Sequence, residues 1–311
     1  MASQTIYTLG ETVLDLVSAD KQMFRALPGG SMLNASVSLA RMGKRVEFIT
    51  ELGNDKAGDL ITDFLKTNFV GIKNSIRHHN CKSTLALAFL DENKNASYSF
   101  YTDFPELFAH FQIPDFGKND ILIFGSFYAV KPERRKMLTS ILEAAKHAGT
   151  FIYYDVNIRA AHQNQIPDLM ESYIENMRYS TVVKGSTEDF NLLWGINNPD
   201  KIFEKVKEFC STVIVTDGGK PLYVNHNANA RSYPVPEIVP VSTIGAGDNF
   251  NAGFIYGLPE TNTENMEQLI INDEQINKMA GCGIAFSTEV CKSEENYIRG
   301  NFEPNFWLNY I

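Results

Sequence analysis

The sequence predicts an α/β fold: a mainly parallel central sheet flanked by helices, with a small β-sheet acting as a lid over its mouth. Three observations predict it. Short β-prone runs alternate with helical patterns along most of the 311 residues, as they do in βαβ units joined by right-handed crossovers. Two stretches, near 12–27 and 83–102, break that alternation with no helix to cover them. No low-complexity segment, long linker or internal repeat divides the chain, so residues 1–311 read as one domain.

The elements follow in order. Strands are expected at 6–9, 46–50, 121–124, 151–155, 181–184 and 213–216, each a short run rich in β-branched and aromatic residues. Helices are expected between them at 32–42, 58–69, 133–147 and 201–209, where apolar residues recur at three- and four-residue spacing. The runs TLALAFL at 84–90 and ASYSFY at 96–101 flank the polar segment 91–95 and read as a β-hairpin. Strands without a covering helix must pack on something else, and the mouth of the main sheet is the physically sensible place.

Composition excludes several function classes. With 28 basic and 37 acidic residues the net charge is −9, a surface that repels phosphate backbones, so nucleic acid is not an expected partner. The content of 44% apolar residues supports a packed core, yet the longest apolar stretches, such as 85–90, are strand-sized, so no membrane span is expected. The N-terminus has neither a basic n-region nor a long apolar region, and the four cysteines form no C-x-x-C pair. A cytoplasmic location with reduced thiols is expected. His78 and His79 belong to no metal-ligand pattern and are expected on a solvated turn.

The chemistry concentrates in two glycine clusters. In the later one a β-prone run at 237–241 leads to Gly245, Ala246 and Gly247, with a helix beginning at about Asp248. Small residues before a helix let backbone N–H groups converge on an anion, and the helix dipole adds favourable potential. A carboxylate beside such a hole repels phosphate unless it takes a proton from an attacking hydroxyl. The alternative is that Asp248 caps its helix. In the earlier cluster Gly29 and Gly30 open a helix that carries Asn34, whose amide can both donate to and accept from a polyol. Asp15 stands where a strand meets the lid and could accept sugar hydroxyls or be a solvated turn residue.

These clusters resemble the signatures of the ribokinase-like (PfkB-type) carbohydrate kinases. GGSMLNASVSLARMG is similar to the family's N-terminal signature and STIGAGDNFNAGF to its C-terminal one, and the resemblance thins after about residue 288. It implies that Asp248 is the catalytic base and that Gly245, Ala246 and Gly247 form the anion hole. It further implies that Asp15, Gly29, Gly30, Asn34 and Arg159 hold the sugar. Lys184, Thr216, Gly218, Asn277 and Ala280 would line the nucleotide site, with ATP and Mg2+ as the cofactors. Asp189 would help position the metal through water.

The match has departures. Ser186-Thr-Glu-Asp189 stands where the family has N-x-x-E, and Ser242 replaces the aspartate that opens D-T-x-G-A-G-D, which weakens the case for a monovalent cation. Neither change touches the base or the hole. Fructokinases are the most similar group, and a 2-keto-3-deoxygluconate kinase is the nearest alternative. A sugar-binding regulator with weakened catalysis is the alternative of another class. The small sugar is the expected partner, together with a second copy packed lid to lid, because Leu85, Leu87, Phe89, Tyr98 and Phe100 alternate along an uncovered hairpin.

Overall fold

The computed structural model describes residues 4–18, 22–90, 96–103, 111–259 and 272–304. The chain begins with β1 (Ile6–Leu9), β2 (Val13–Ser18), β3 (Arg25–Gly29), α1 (Ser31–Arg41), β4 (Val46–Ile49) and β5 (Glu51–Gly53). Next come α2 (Lys56–Thr67), β6 (Val70–Gly71), β7 (Ile76–His78), β8 (Leu85–Leu90), β9 (Ala96–Tyr101) and β10 (Ile121–Gly125). The middle of the chain holds α3 (Arg135–Ala148), β11 (Phe151–Asp155), α4 (Ile166–Tyr179), β12 (Val182–Ser186), α5 (Thr187–Trp194) and α6 (Pro199–Val206). The last elements are β13 (Thr212–Thr216), β14 (Leu222–His226), β15 (Asn229–Tyr233), α7 (Ala246–Tyr256) and α8 (Asp273–Val290).

The main sheet has nine strands in the order β15-β14-β13-β12-β11-β10-β1-β4-β6. All neighbours from β13 to β6 are parallel, while β14 and β15 form an antiparallel edge hairpin. Residues of β1, β10 and β11 are buried throughout, because helices cover both faces of a parallel sheet. Period-two alternation divides each strand between two cores. Ile6, Ile121, Ile123 and Tyr153 pack with Leu33 and Val37 of α1 and with Phe254 of α7. Tyr7, Leu122, Phe124 and Tyr154 pack with Ile141 of α3, Tyr173 of α4 and Phe190 of α5.

The two stretches that break the βαβ alternation supply a separate four-stranded sheet, β3-β2-β8-β9. The register corrects one expectation. Leu87 pairs with Ser99 and Ala86 with Phe100, so Phe100 lies across from Ala86, on the face of Asp15. Leu85, Leu87 and Phe89 take the opposite face with Leu16, so they do not share a surface with Phe100 as a lid-to-lid contact through the whole hairpin would need. An antiparallel register follows from loop length as well as from alternation, and the connecting residues 91–95 lie outside the described ones.

Other differences have local causes. The run 237–241 forms no strand, since only the amides of Val241 and Ser242 find a backbone acceptor, both on Cys291, and Val239 is 94% exposed. His78 is the end of β7, paired at 2.9 Å with the buried Glu51, and does not sit on a solvated turn. The β14–β15 hairpin and the two-stranded β5–β7 sheet were not anticipated. Among the described residues no helix is long and apolar enough to cross a membrane.

Candidate active site

The carboxyl ends of parallel strands are where open α/β sheets bind ligands, and the expected Lys184 and Thr216 lie near such ends. Asp155 ends β11, Ser186 ends β12 and Thr216 ends β13. The first turns of α1 and α7 meet there, which brings residues more than two hundred positions apart into hydrogen-bond contact.

Asp248 is the focus of that meeting. Ser31 Oγ donates to Asp248 Oδ1 at 2.6 Å, and Asn34 Nδ2 donates to Asp248 Oδ2 at 2.9 Å. Asn157 Nδ2 in turn donates to Ser31 Oγ at 3.1 Å, from a residue held at φ +39° just beyond β11. The N-cap of α7 is Gly245, in the left-handed region at φ +80°, and no side chain caps the helix. Asp248 is therefore aimed across the site, not back at its own backbone. The oxygen of the same amide, Asn34 Oδ1, is buried with no hydrogen-bond partner among the described residues. An orphan acceptor of that kind suits an incoming hydroxyl.

The helix start supplies the anion site. Among the described residues the N–H groups of Gly247 and Asp248 have no backbone acceptor, as expected for a first helical turn. Lys184 adds a full charge beside them: a Cβ built on Gly247 would lie 3.5 Å from its ammonium nitrogen. Lys184 Nζ pairs with Asp155 Oδ1 at 2.9 Å, and both residues are buried. Burial alone would lower the lysine's pKa, but Asp155, Asp189 and Asp248 outweigh it and raise the value, so the ammonium stays charged.

Asp15 projects from β2 beside Gly29, where any side chain would collide, since a Cβ would fall 2.5 Å from Asp15 Oδ2. Gly30 follows in the left-handed range at φ +132°. Burial pushes the Asp15 carboxyl up to about 6, and the nearby Arg159 guanidinium only partly offsets the rise. Arg159 is itself exposed at the rim.

The remaining expected residues divide. Thr216 and Gly218 border an open turn at the end of β13, with space around Gly218. Asn277 is exposed on α8 and accepts from Tyr233 at 2.7 Å and Arg231 at 3.1 Å. Ala280 is fully buried in the helix-packing core, so it offers a nucleotide no surface, which corrects its expected placement. Asp189 is also corrected. Its Oδ1 accepts from the Ile158 amide at 2.7 Å, its Oδ2 from the Ser186 amide and hydroxyl, and it is 4% exposed. It completes the capping box of α5 and tethers the segment after β11, a role that differs from positioning a metal.

Sequence reasoning missed Ser31, Asp155 and Asn251. Ser31 carried a weak signal as the residue between Gly30 and the first turn of α1, but its partner lies 217 positions away. Among the described residues no group of three or more His, Cys, Asp or Glu forms a metal cage.

Comparison with known proteins shows the family. Residues 3–292 match the pfkB family carbohydrate kinases. The chain belongs to that family. As a pfkB kinase it transfers a phosphoryl group to a sugar hydroxyl. It is similar to the fructokinase of Escherichia coli, 27% identical over 264 residues that cover 83% of this chain and 86% of the relative. It is also similar to 5-dehydro-2-deoxygluconokinase of Clostridium perfringens, 26% identical over 257 residues, 78% of this chain and 75% of the relative. In fold, the kinase superposes on a crystal structure of Vibrio cholerae fructokinase in its fructose, ADP and calcium ion bound form, with a TM-score of 0.80 and 22% identity. That likeness covers 98% of this chain and 99% of the other.

Proposed function

We propose that this kinase phosphorylates a ketohexose, fructose in the first instance, with ATP as donor and Asp248 as the base that accepts the hydroxyl proton. The observation that carries the reading is the Asp248 carboxylate held by Ser31 and Asn34 at the lip of a helix start with free N–H groups and a charged lysine. A base beside an anion hole is the arrangement that phosphoryl transfer to a hydroxyl requires. Asp15, Asn34 and Arg159 hold the sugar, with Gly29 and Gly30 giving it room. The amides of Gly245, Gly247 and Asp248 face the transferred group, while the expected Ala246 amide is taken by the Thr243 carbonyl at 3.2 Å; Lys184 meets its charge, and Thr216, Gly218 and Asn277 the nucleotide. Magnesium fits as an ion carried in by the nucleotide phosphates, whose charge it would neutralise, because the described residues offer no cage of their own.

A coupled ADP-release assay over fructose, 5-dehydro-2-deoxygluconate and a panel of ribosides tests the reading. Turnover highest with fructose supports it. Preference for the sugar acid would transfer the assignment to the reading that the clostridial relative favours, and tight sugar binding without turnover would point to a regulator.

The raised Asp15 pKa gives a pH prediction. Ionised Asp15 accepts hydroxyls more strongly than the protonated carboxyl, so kcat/KM for fructose should fall as pH drops through about 6, and Asp15→Asn should make that limb shallower at a lower plateau. A wild-type profile flat between about pH 5 and about pH 8 would remove Asp15 from the sugar site.

The assembly reading is a lid-to-lid homodimer in the cytoplasm. The lid face away from Asp15 carries Phe24 packed edge-on against Phe89 at 5.8 Å, with Phe24 43% and Tyr101 57% exposed. Light scattering should give a dimer mass that Phe89→Asp halves. A monomer mass for the wild type sinks the proposal.

A further inference from the structure

Beneath the candidate base lies a buried polar network that the proposed reaction does not itself use. Asn251 follows Asp248 by three residues on α7 and is fully buried. Its Nδ2 donates to Asp155 Oδ2 at 2.6 Å, while its Oδ1 accepts from the Tyr153 hydroxyl at 2.9 Å. The tyrosine thereby fixes which end of the amide faces Asp155. The other oxygen of Asp155 accepts from Lys184 at 2.9 Å. One carboxylate is thus shared by the helix that carries Asp248 and the ammonium beside the anion site.

Packing alone does not call for an amide at this position. The flanking Phe250, Ala252, Phe254 and Ile255 are all buried, and an apolar residue among them would avoid the cost of burying polar atoms. The amide is retained in a site where every one of its bonds serves Asp155 or its own orientation.

We infer that Asn251 is a positioning residue that couples the helix bearing Asp248 to the Lys184 ammonium through the shared carboxylate of Asp155. The coupling rests on the reading of Asp248 and Lys184 proposed above. It holds the base and the cation in one geometry relative to each other, which is what an in-line transfer demands.

Several charged or titratable groups act on Asp155: Lys184 from β12, Asp189 from α5, and Tyr153 and Tyr154 from its own strand, with Asp248 of α7 acting on Lys184. Burial raises the Asp155 carboxyl, and the Lys184 charge and the Asn251 hydrogen bond pull it down. Without Asn251 the carboxyl protonates more readily, and a protonated Asp155 releases Lys184. The acid limb of kcat should therefore move to higher pH.

The test compares Asn251→Leu, close in size, with Asn251→Ala, which removes the same bonds without overfilling the space. Steady-state kinetics with fructose and ATP should show kcat lowered about 10- to 100-fold with the fructose KM within about twofold. The acid limb should rise by about half a pH unit or more. A merely structural role would lower the melting temperature and leave that limb in place. Wild-type kcat with an unshifted limb in either folded variant overturns the coupling, even where Asp248→Asn is inactive and the base reading stands. A fully active Asp248→Asn overturns the base reading and the coupling with it. If Asn251→Leu does not fold, Asn251→Ala decides by the same two readouts.

Discussion

Replacing Asp248 by asparagine is expected to lower turnover by about 10²- to 10⁴-fold while fructose affinity changes only a few-fold. The substitution is nearly isosteric, and the surroundings can accommodate it. Ser31 Oγ lies 2.6 Å from one carboxylate oxygen and can accept a hydrogen bond as well as donate one, so the new amide group would face it. The remaining oxygen can keep the bond from Asn34 Nδ2, now 2.9 Å long. Geometry and sugar pocket should survive, and only the ability to take a proton is lost. Coupled assays give kcat and KM, and the fructose-induced shift in melting temperature reports binding without catalysis. Wild-type turnover in the variant would return Asp248 to a passive role in its helix.

Lys184→Met should be damaging for stability as well as for rate. Removing a preorganised cation from the anion site is expected to lower kcat by about 10²- to 10³-fold. It also strips Asp155 of its ion pair in a fully buried position, a loss worth about 3–5 kcal/mol where the carboxylate must stay charged. The pH dependence has a definite sign. Burial already holds the folded-state pKa of Asp155 above the ordinary carboxylate range, at about 6, and without Lys184 it rises further. A group whose pKa is raised on folding contributes stability below its unfolded pKa and loses it as pH increases through the folded one. The variant should therefore approach wild-type stability in mild acid and fall away from it toward alkaline pH. Denaturation curves across that range check this, and a stability difference independent of pH would mean that Asp155 is not left as an unpaired charge.

The most legible features were those whose physics is local. Strands at 6–9 and 151–155 were read with the bounds they have, because a buried parallel strand is a short continuous apolar run between helices. The start of α7 was legible to within two residues, since glycines before a helix announce both the turn and the free N–H groups. The β-prone run 237–241 forms no strand because β-propensity is a preference for a paired, half-buried surface, and Val239 and Val241 are exposed there. Ala280 was assigned by what the family resemblance implies, whereas its burial depends on which helix face meets α7.

By itself the sequence determined the alternation of strand and helix, the two stretches that stand apart from it, and the residue types at two glycine-started helices. Those follow from side-chain period, turn chemistry and charge, all of which act over a few residues. Only the tertiary structure decided that Ser31 and Asn34 grip Asp248, that Asp189 caps a helix, and that Asn251, Asp155 and Lys184 share one buried network. Such contacts join positions from different strands and helices, so they depend on sheet order, strand register and the packing of α1 against α7. Each is a small energy beside the burial of the core that sets those distances.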